Sequence, residues 1–82
     1  MRFKLTTDAK KYLDTQDKIT VRRIYEALRA LAKQPPEGDI KPLTGQGNIK
    51  RLRIGGYRIL FEIKGNHVII NKIAPRGEAY KD

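Results

Sequence analysis

Three arginines surround a pair of glycines in NIKRLRIGGYRILFEIK, which covers residues 48–64. Arg51 and Arg53 precede the glycines and Arg58 follows them. A guanidinium stays charged at physiological pH and donates two parallel hydrogen bonds to a phosphate. The sequence offers Glu62 as the nearest acidic residue, which could neutralise only one of the three. The cluster therefore predicts a cationic platform for phosphate groups, and the alternative is that three guanidiniums simply project into water.

The residues around the glycines alternate between polar and apolar, which is typical of β-strands. A two-residue turn at Gly55 and Gly56 predicts an antiparallel hairpin in which Arg53 faces Arg58 and Arg51 faces Leu60. Cross-strand partners project to the same face, so the arginines share one face of the hairpin. The other face is apolar and is expected to cover the helices: Leu52, Ile54, Tyr57, Ile59, Phe61 and Ile63.

The elements that position this hairpin are a strand and two helices. Weak alternation predicts a first strand over residues 2–6, and Thr7 or Asp8 is expected to cap the helix that follows. Apolar residues at three- and four-residue spacing predict a second helix, capped by Thr20 and running to about Gln34. VIINKI predicts a last strand, ended near Pro75. The order β-α-α-β-β-β predicts an α+β fold, with a small, mainly antiparallel, twisted sheet packed on an αα-hairpin.

Composition narrows the possible functions. The chain of 82 residues is expected to form one domain over residues 1–82, and its net charge of +9 favours a polyanionic partner. The absence of cysteine excludes disulfides and thiolate metal sites, and no segment reads as a membrane span, so we expect a cytoplasmic protein with no membrane partner. The single histidine, His67, has no partner group for nucleophilic or metal chemistry, so neither cofactor nor metal is expected.

Three motifs in order, KPLTG, RLRIGGYRILFEI and IAPRGEAYK, resemble the signatures of RelE toxins in the RelE/ParE toxin–antitoxin superfamily. The resemblance covers essentially the whole chain, and residues 40–81 carry its specific part. It implies the RelE-like microbial-RNase fold and a metal-independent, ribosome-dependent endoribonuclease that cuts mRNA in the A site. In that family reaction the ribose 2′-hydroxyl attacks the adjacent phosphate, and translation stops.

The resemblance also implies roles for individual residues. Arg58 matches the arginine that stabilises the phosphate, and Tyr80 matches a tyrosine that stacks on the mRNA base and takes part in proton transfer. The implied catalytic set is Arg51, Arg58, Arg76 and Tyr80. The residues expected to bind RNA or the ribosome are Lys41, Lys50, Arg53 and Lys81.

The chain departs from the family pattern at three positions. Ile49 and Ala74 stand where bacterial members carry further basic residues, and Pro75 stands where many relatives have histidine. The general base is therefore left open. Two alternatives also stay open: a ParE-like toxin that inhibits DNA gyrase by binding, and a weakened homologue that only binds RNA and antitoxin. The implied partners are a cognate antitoxin, the ribosome and mRNA, with a monomer when free and a hetero-oligomer when neutralised.

Overall fold

One strand, two helices and four further strands follow each other along the chain. The computed structural model describes residues 1–75. Its elements are β1 (Arg2–Leu5), α1 (Thr7–Asp14), α2 (Lys18–Leu31), β2 (Asp39–Pro42), β3 (Lys50–Ile54), β4 (Tyr57–Lys64) and β5 (His67–Pro75). The strands form one sheet in the order β1-β5-β4-β3-β2, with β1 parallel to β5 and the other neighbouring pairs antiparallel. The predicted α+β architecture, a mainly antiparallel sheet on an αα-hairpin, is confirmed.

Both predicted helix caps are wrong, because each helix begins earlier than expected. The N-cap of α1 is Thr6 and not Thr7 or Asp8, and the N-cap of α2 is Asp17 and not Thr20. The Thr6 hydroxyl accepts a hydrogen bond from the Ala9 amide at 3.3 Å, and the Asp17 carboxylate accepts one from the Thr20 amide at 3.3 Å. Thr20 is thus the donor in the first turn of α2 and not its cap. The Asp17 carboxylate satisfies an amide that has no partner within the helix, which is the role that favours aspartate at this position.

The helix α2 also ends earlier than predicted. Its last residue is Leu31, capped by Ala32, whereas the apolar spacing predicts a helix that runs to about Gln34. Two prolines follow at residues 35 and 36, and proline disfavours helical angles in the residue before it. The two helices are joined by only three residues, 15–17, which keeps them on the same side of the sheet.

The hairpin of β3 and β4 has the predicted register. Arg53 pairs with Arg58, Arg51 with Leu60, and Leu52 with Ile59. The apolar side of this hairpin packs into the core with both helices. The largest fully buried side chains of that core are Ile24, Leu28, Leu31, Leu52, Ile59, Phe61, Val68 and Ile70. The helices therefore cover one face of the sheet, and the arginines belong to the other.

A bulge in the pairing of β4 with β5 sets the orientation of the end of β5. Phe61 pairs with Ile70, but the next residue of β4, Leu60, pairs with Lys72, so one residue of β5 is skipped. Ile70 and Ile73 consequently both point into the core although they are three residues apart. The same shift places Lys72 on the face that carries the arginines.

The strand β2 is absent from the predicted order, so the prediction of four strands is wrong. This edge strand pairs antiparallel with β3, and it brings Asp39 opposite Arg53 and Lys41 opposite Arg51. Its four residues, DIKP, include a proline and are too few to establish an alternating pattern, which is why the sequence fails to show this strand. Long-range pairing with β3, not local preference, creates this strand.

No helix within residues 1–75 is long and apolar enough to cross a membrane.

Gly38→Ala is expected to lower the free energy of unfolding by about 1–3 kcal/mol. Gly38 has a φ of 139°, and a Cβ there would lie 2.6 Å from the Leu52 side chain, so β2 would be pushed away from β3. Urea unfolding monitored by circular dichroism measures the loss. Gly56→Ala is the matched control, because a Cβ at Gly56 meets nothing within 4 Å. Equal losses in the two variants would contradict this prediction.

Candidate functional site

Two rows of residues run across the sheet on the face that the helices leave uncovered. The first row is Asp39, Arg53, Arg58 and Ala74, and the second is Lys41, Arg51, Leu60 and Lys72. Each row takes one residue from each of β2, β3, β4 and β5. We call this surface, defined by these two rows, the basic face. It contains five cationic side chains and one carboxylate. This excess of positive charge suits a phosphate-binding surface.

Two of the three hairpin arginines are buried. Arg51 is 5% exposed and Arg58 is 7% exposed, whereas the Arg53 side chain is about half exposed. The alternative in which all three guanidiniums project into water is therefore wrong for Arg51 and Arg58. A buried guanidinium has lost part of its water, so an anion that reaches it experiences a stronger attraction than it would at an exposed lysine. The Arg58 Nη1 atom donates to the carbonyl of Tyr57 at 3.3 Å.

Within residues 1–75, Asp39 is the acidic residue that Arg51 and Arg53 contact. Its Oδ2 atom accepts a hydrogen bond from Arg53 Nε at 2.8 Å and lies 3.7 Å from Arg51 Nη1. The carbonyl of Asp39 also accepts from Arg51 Nη1, at 3.5 Å. The expectation that Glu62 is the nearest counter-charge is wrong, because Glu62 pairs with Lys64 at 3.4 Å. The sequence does not predict Asp39 as the counter-charge, because Asp39 lies beside the arginines only when β2 pairs with β3.

These contacts lower the pKa of the Asp39 carboxyl. The hydrogen bond from Arg53 is the largest cause. Desolvation comes second and raises the pKa, and the charges of Arg53, Arg51 and Lys41 then lower it further. A lowered pKa means that the folded state prefers the ionised carboxylate. The resulting stabilisation is present at pH values above the ordinary aspartate pKa, and it is lost as the pH falls through the lowered one.

The remaining predicted site residues divide into three groups. Lys41 lies on the basic face, beside Arg51. Lys50 pairs with Phe61, and strand alternation therefore places it on the opposite face from Arg51. The third group, Arg76, Tyr80 and Lys81, lies outside the residues that the structure describes.

Lys72 is a basic residue that sequence reasoning missed. Simple alternation from Ile70 would place Lys72 in the core, and only the bulge at the Leu60 position moves it to the basic face. Ala74, where the resemblance points to a missing basic residue, is buried opposite Arg58. Lys72 thus supplies a cation near the position from which one is missing. The sequence signal for this shift is Ile73, an apolar residue three positions after Ile70, where strict alternation predicts a residue on the other face. Ile73 is 2% exposed in the structure.

Metal ligation finds no support in the described part of the chain. Residues 1–75 contain no group of three or more histidine, cysteine, aspartate or glutamate side chains that could hold a metal ion. The guanidinium and ammonium groups of the basic face can bind anions and stabilise negative charge.

A family model described as the ParE toxin of type II toxin–antitoxin systems (parDE) matches residues 3–80. Among curated proteins, the toxin RelE3 of Methanocaldococcus jannaschii is 38% identical over 42 residues, which are 51% of this chain and 48% of RelE3. The match thus spans about half the length of that relative.

Solved structures extend the similarity over nearly the whole chain. A chain of the archaeal RelE–RelB complex from Pyrococcus horikoshii is 30% identical with a TM-score of 0.77, and the match covers 95% of this chain and 97% of that one. The RelBE2 complex of Mycobacterium tuberculosis matches with a TM-score of 0.78 at 23% identity, covering 92% of this chain and 96% of that one. Isolated E. coli RelE matches with a TM-score of 0.76 at 16% identity, covering 96% and 89%. The last two show the fold alone.

Arg53→Gln is expected to raise the pKa of Asp39 towards the ordinary aspartate value, because it removes the hydrogen bond that lowers this pKa most. An NMR titration of the Asp39 side-chain carboxyl signal measures the change. Lys64→Gln, which removes a cation beside Glu62, is the control and is expected to leave the Asp39 midpoint unchanged. A wild-type midpoint at or above the ordinary value would contradict the prediction.

Proposed function

We propose that this chain stops translation by cutting mRNA in the ribosomal A site. The chain belongs to the ParE toxin family of type II toxin–antitoxin systems, and it is a RelE-type toxin. The observation that carries the proposal is the pair of buried arginines, Arg51 and Arg58, within a face of the sheet that is otherwise rich in exposed cations. A surface built this way suits a phosphodiester that develops extra negative charge. The similarity to the RelE chain from Pyrococcus supports the same function.

The proposed reaction is an internal transesterification. The ribose 2′-oxygen forms a bond to the adjacent phosphorus, and the bond from phosphorus to the 5′-oxygen of the next nucleotide breaks. A base accepts the proton of the 2′-hydroxyl, and an acid donates a proton to the leaving 5′-oxygen. The products are a 2′,3′-cyclic phosphate and a free 5′-hydroxyl. Atoms and charges balance without a cofactor, an oxidant or a reductant.

In this reaction Arg58 stabilises the pentacoordinate phosphate. Arg58 as a whole is 7% exposed, and its Nη1 atom donates a hydrogen bond to the Tyr57 carbonyl, so little reorganisation is needed when charge develops. Arg51, which is equally well buried, is the second cation at the phosphate. Arg53, Lys41 and Lys72 hold the flanking RNA backbone, because exposed cations bind phosphates by charge and without sequence preference.

Residues of the C-terminal segment complete the proposal through the family resemblance. Tyr80 stacks on the mRNA base and takes part in proton transfer, Arg76 assists at the phosphate, and Lys81 contacts RNA. An arginine is a poor base because it keeps its proton up to a pKa of about 12 or above. The proposal therefore assigns charge stabilisation to the arginines and leaves proton acceptance to Tyr80 or to the ribosome-bound substrate itself.

A cognate antitoxin is the second partner that we propose. The structures from Pyrococcus horikoshii, Methanococcus jannaschii and Mycobacterium tuberculosis that are similar to this chain are toxin–antitoxin complexes. A chain of net charge +9 attracts an acidic antitoxin segment and associates with it rapidly. We further propose that the neutralised complex and the ribosomal target both lie in the cytoplasm.

Arg58→Ala is expected to reduce mRNA cleavage by about a hundredfold or more, because it removes a preorganised cation from the reacting phosphate. The measurement is mapping of new mRNA 5′ ends after brief induction of the chain in cells. Arg29→Ala is the matched control, since Arg29 is an exposed arginine of α2 and has the same charge. Tyr80→Phe, tested in parallel, is expected to reduce cleavage as well.

Plasmid supercoiling measured in the same cells separates the alternatives. The family model carries the ParE name, which makes gyrase inhibition the second candidate function. Loss of supercoiling with intact mRNA would overturn the nuclease proposal in favour of that candidate. Growth arrest with neither effect would favour a chain that binds RNA and antitoxin without cleaving.

Purified chain is expected to cleave naked RNA little, and ribosome-bound mRNA efficiently. A site without a strong base depends on the ribosome to hold the 2′-hydroxyl in line with its phosphate, and such alignment accelerates reactions by orders of magnitude. Single-turnover cleavage of one labelled mRNA, with and without ribosomes, measures the difference. Equal rates in the two reactions would contradict this dependence.

A further inference from the structure

The carboxylate of Asp39 lies between two guanidiniums of the basic face. One oxygen, Oδ2, is 2.8 Å from Arg53 Nε and 3.7 Å from Arg51 Nη1. The backbone carbonyl of the same residue accepts a second, longer hydrogen bond from Arg51 Nη1, at 3.5 Å. Asp39 therefore holds both arginines of β3 from the neighbouring edge strand.

The position of Arg51 shows why this contact matters. Its register partner on β2 is Lys41, a like charge, and not Asp39. The guanidinium of Arg51 nevertheless reaches the carbonyl and the carboxylate of Asp39, two residues away along β2. Lys41, directly opposite, repels the side chain of Arg51, and Asp39, two residues along β2, attracts it. Both effects direct this side chain towards Asp39. Arg51 is 5% exposed, so few other orientations remain for it.

We propose that Asp39 is a positioning residue of the RNA-cleaving site, and that it fixes the guanidinium of Arg51 in the orientation in which Arg51 meets the reacting phosphate. The inference rests on the proposed function. Asp39 acts through Arg51, and its own carboxylate does not bind the RNA, because a carboxylate repels a phosphate. Displacing a group of the site by about 1 Å can slow a reaction by about a hundredfold.

A role as general base fits Asp39 poorly. The oxygen nearest the arginines already accepts a hydrogen bond from Arg53 at 2.8 Å. The lowered pKa of this carboxyl, caused first by that hydrogen bond, also makes it a weak acceptor for the proton of a hydroxyl. A base and a positioning residue have different pH dependences, so the two roles are separable by experiment.

Positioning makes a prediction that simple electrostatics does not. Asp39 is the one carboxylate of the two rows that form the basic face, so its neutralisation adds one unit of positive charge there. Asp39→Asn is thus expected to bind RNA as tightly as the wild type or about twofold more tightly. The same variant is expected to cleave about ten- to a hundredfold more slowly at saturation, because Arg51 is no longer fixed.

The test is single-turnover cleavage of ribosome-bound mRNA by wild type, Asp39→Asn, Asp39→Glu and Glu62→Gln. Asp39→Glu, which restores the carboxylate, is expected to recover most of the rate. Glu62→Gln is the matched control: it removes a carboxylate that pairs with Lys64 and contacts neither Arg51 nor Arg53, and its rate is expected to stay at the wild-type value. Circular dichroism melting of each variant monitors folding.

The outcomes distinguish this inference from the proposed function. A wild type that fails to cleave overturns the proposed function. An active wild type with an equally active Asp39→Asn overturns the inference alone, and so does a variant whose RNA affinity falls together with its rate. A slow Asp39→Asn that keeps its affinity and the wild-type pH profile supports positioning. A profile that loses its acidic limb in this variant supports a base and overturns positioning.

A readout that needs no activity tests the contact itself. The Nη1 group of Arg51 contacts the carbonyl and the carboxylate of Asp39 in the folded chain, so the exchange of its protons with solvent, followed by NMR, is expected to be slow in the wild type. Asp39→Asn is expected to speed that exchange severalfold, and Glu62→Gln is expected to leave it unchanged. Equal exchange in the wild type and Asp39→Asn would overturn the inference whatever the cleavage assay shows.

Discussion

Repulsion between guanidiniums on neighbouring strands is the constraint on which this structure depends. Arg53 and Arg58 face each other across β3 and β4, and Arg51 lies two residues from Arg53 on the same side of the strand. Such a cluster is stable only if something offsets the repulsion or if the charges are separated by water. Here the edge strand β2 supplies the counter-charge, because Asp39 contacts both Arg51 and Arg53. The contact with Asp39 offsets part of the cost of burying the charge of Arg51, which is 5% exposed.

Burial and charge on the two faces of the sheet are linked through the strands. The apolar residues of β3, β4 and β5 pack under the two helices and hold the strands in one register. Strand alternation then places the residues between them on the basic face. The bulge in β5 acts in the same way, because it keeps Ile70 and Ile73 in the core and places Lys72 on the basic face. A tightly packed core thus sets the spacing of the charges.

Comparison of the sequence-based predictions with the structure shows where local patterns suffice. The hairpin register is predictable because strict alternation and a glycine pair restrict the chain to one pairing. The helix starts are less predictable, since Thr6 and Asp17 compete with nearby residues that are also good caps. The strand β2 is not predictable from its own residues. It is short, contains Pro42 and exists because β3 offers an edge.

The sequence by itself determined the hairpin, the side on which Arg51, Arg53 and Arg58 project, and the motifs that mark the family. These features depend on residues that are close along the chain, where turn geometry and alternation leave little choice. Only the tertiary structure decided that Arg51 and Arg58 are buried, that Lys72 lies on the same face, and that Asp39 is the counter-charge of Arg51 and Arg53. Each of these depends on pairing between distant segments, because Asp39 meets Arg53 only when an edge strand forms across a 14-residue separation.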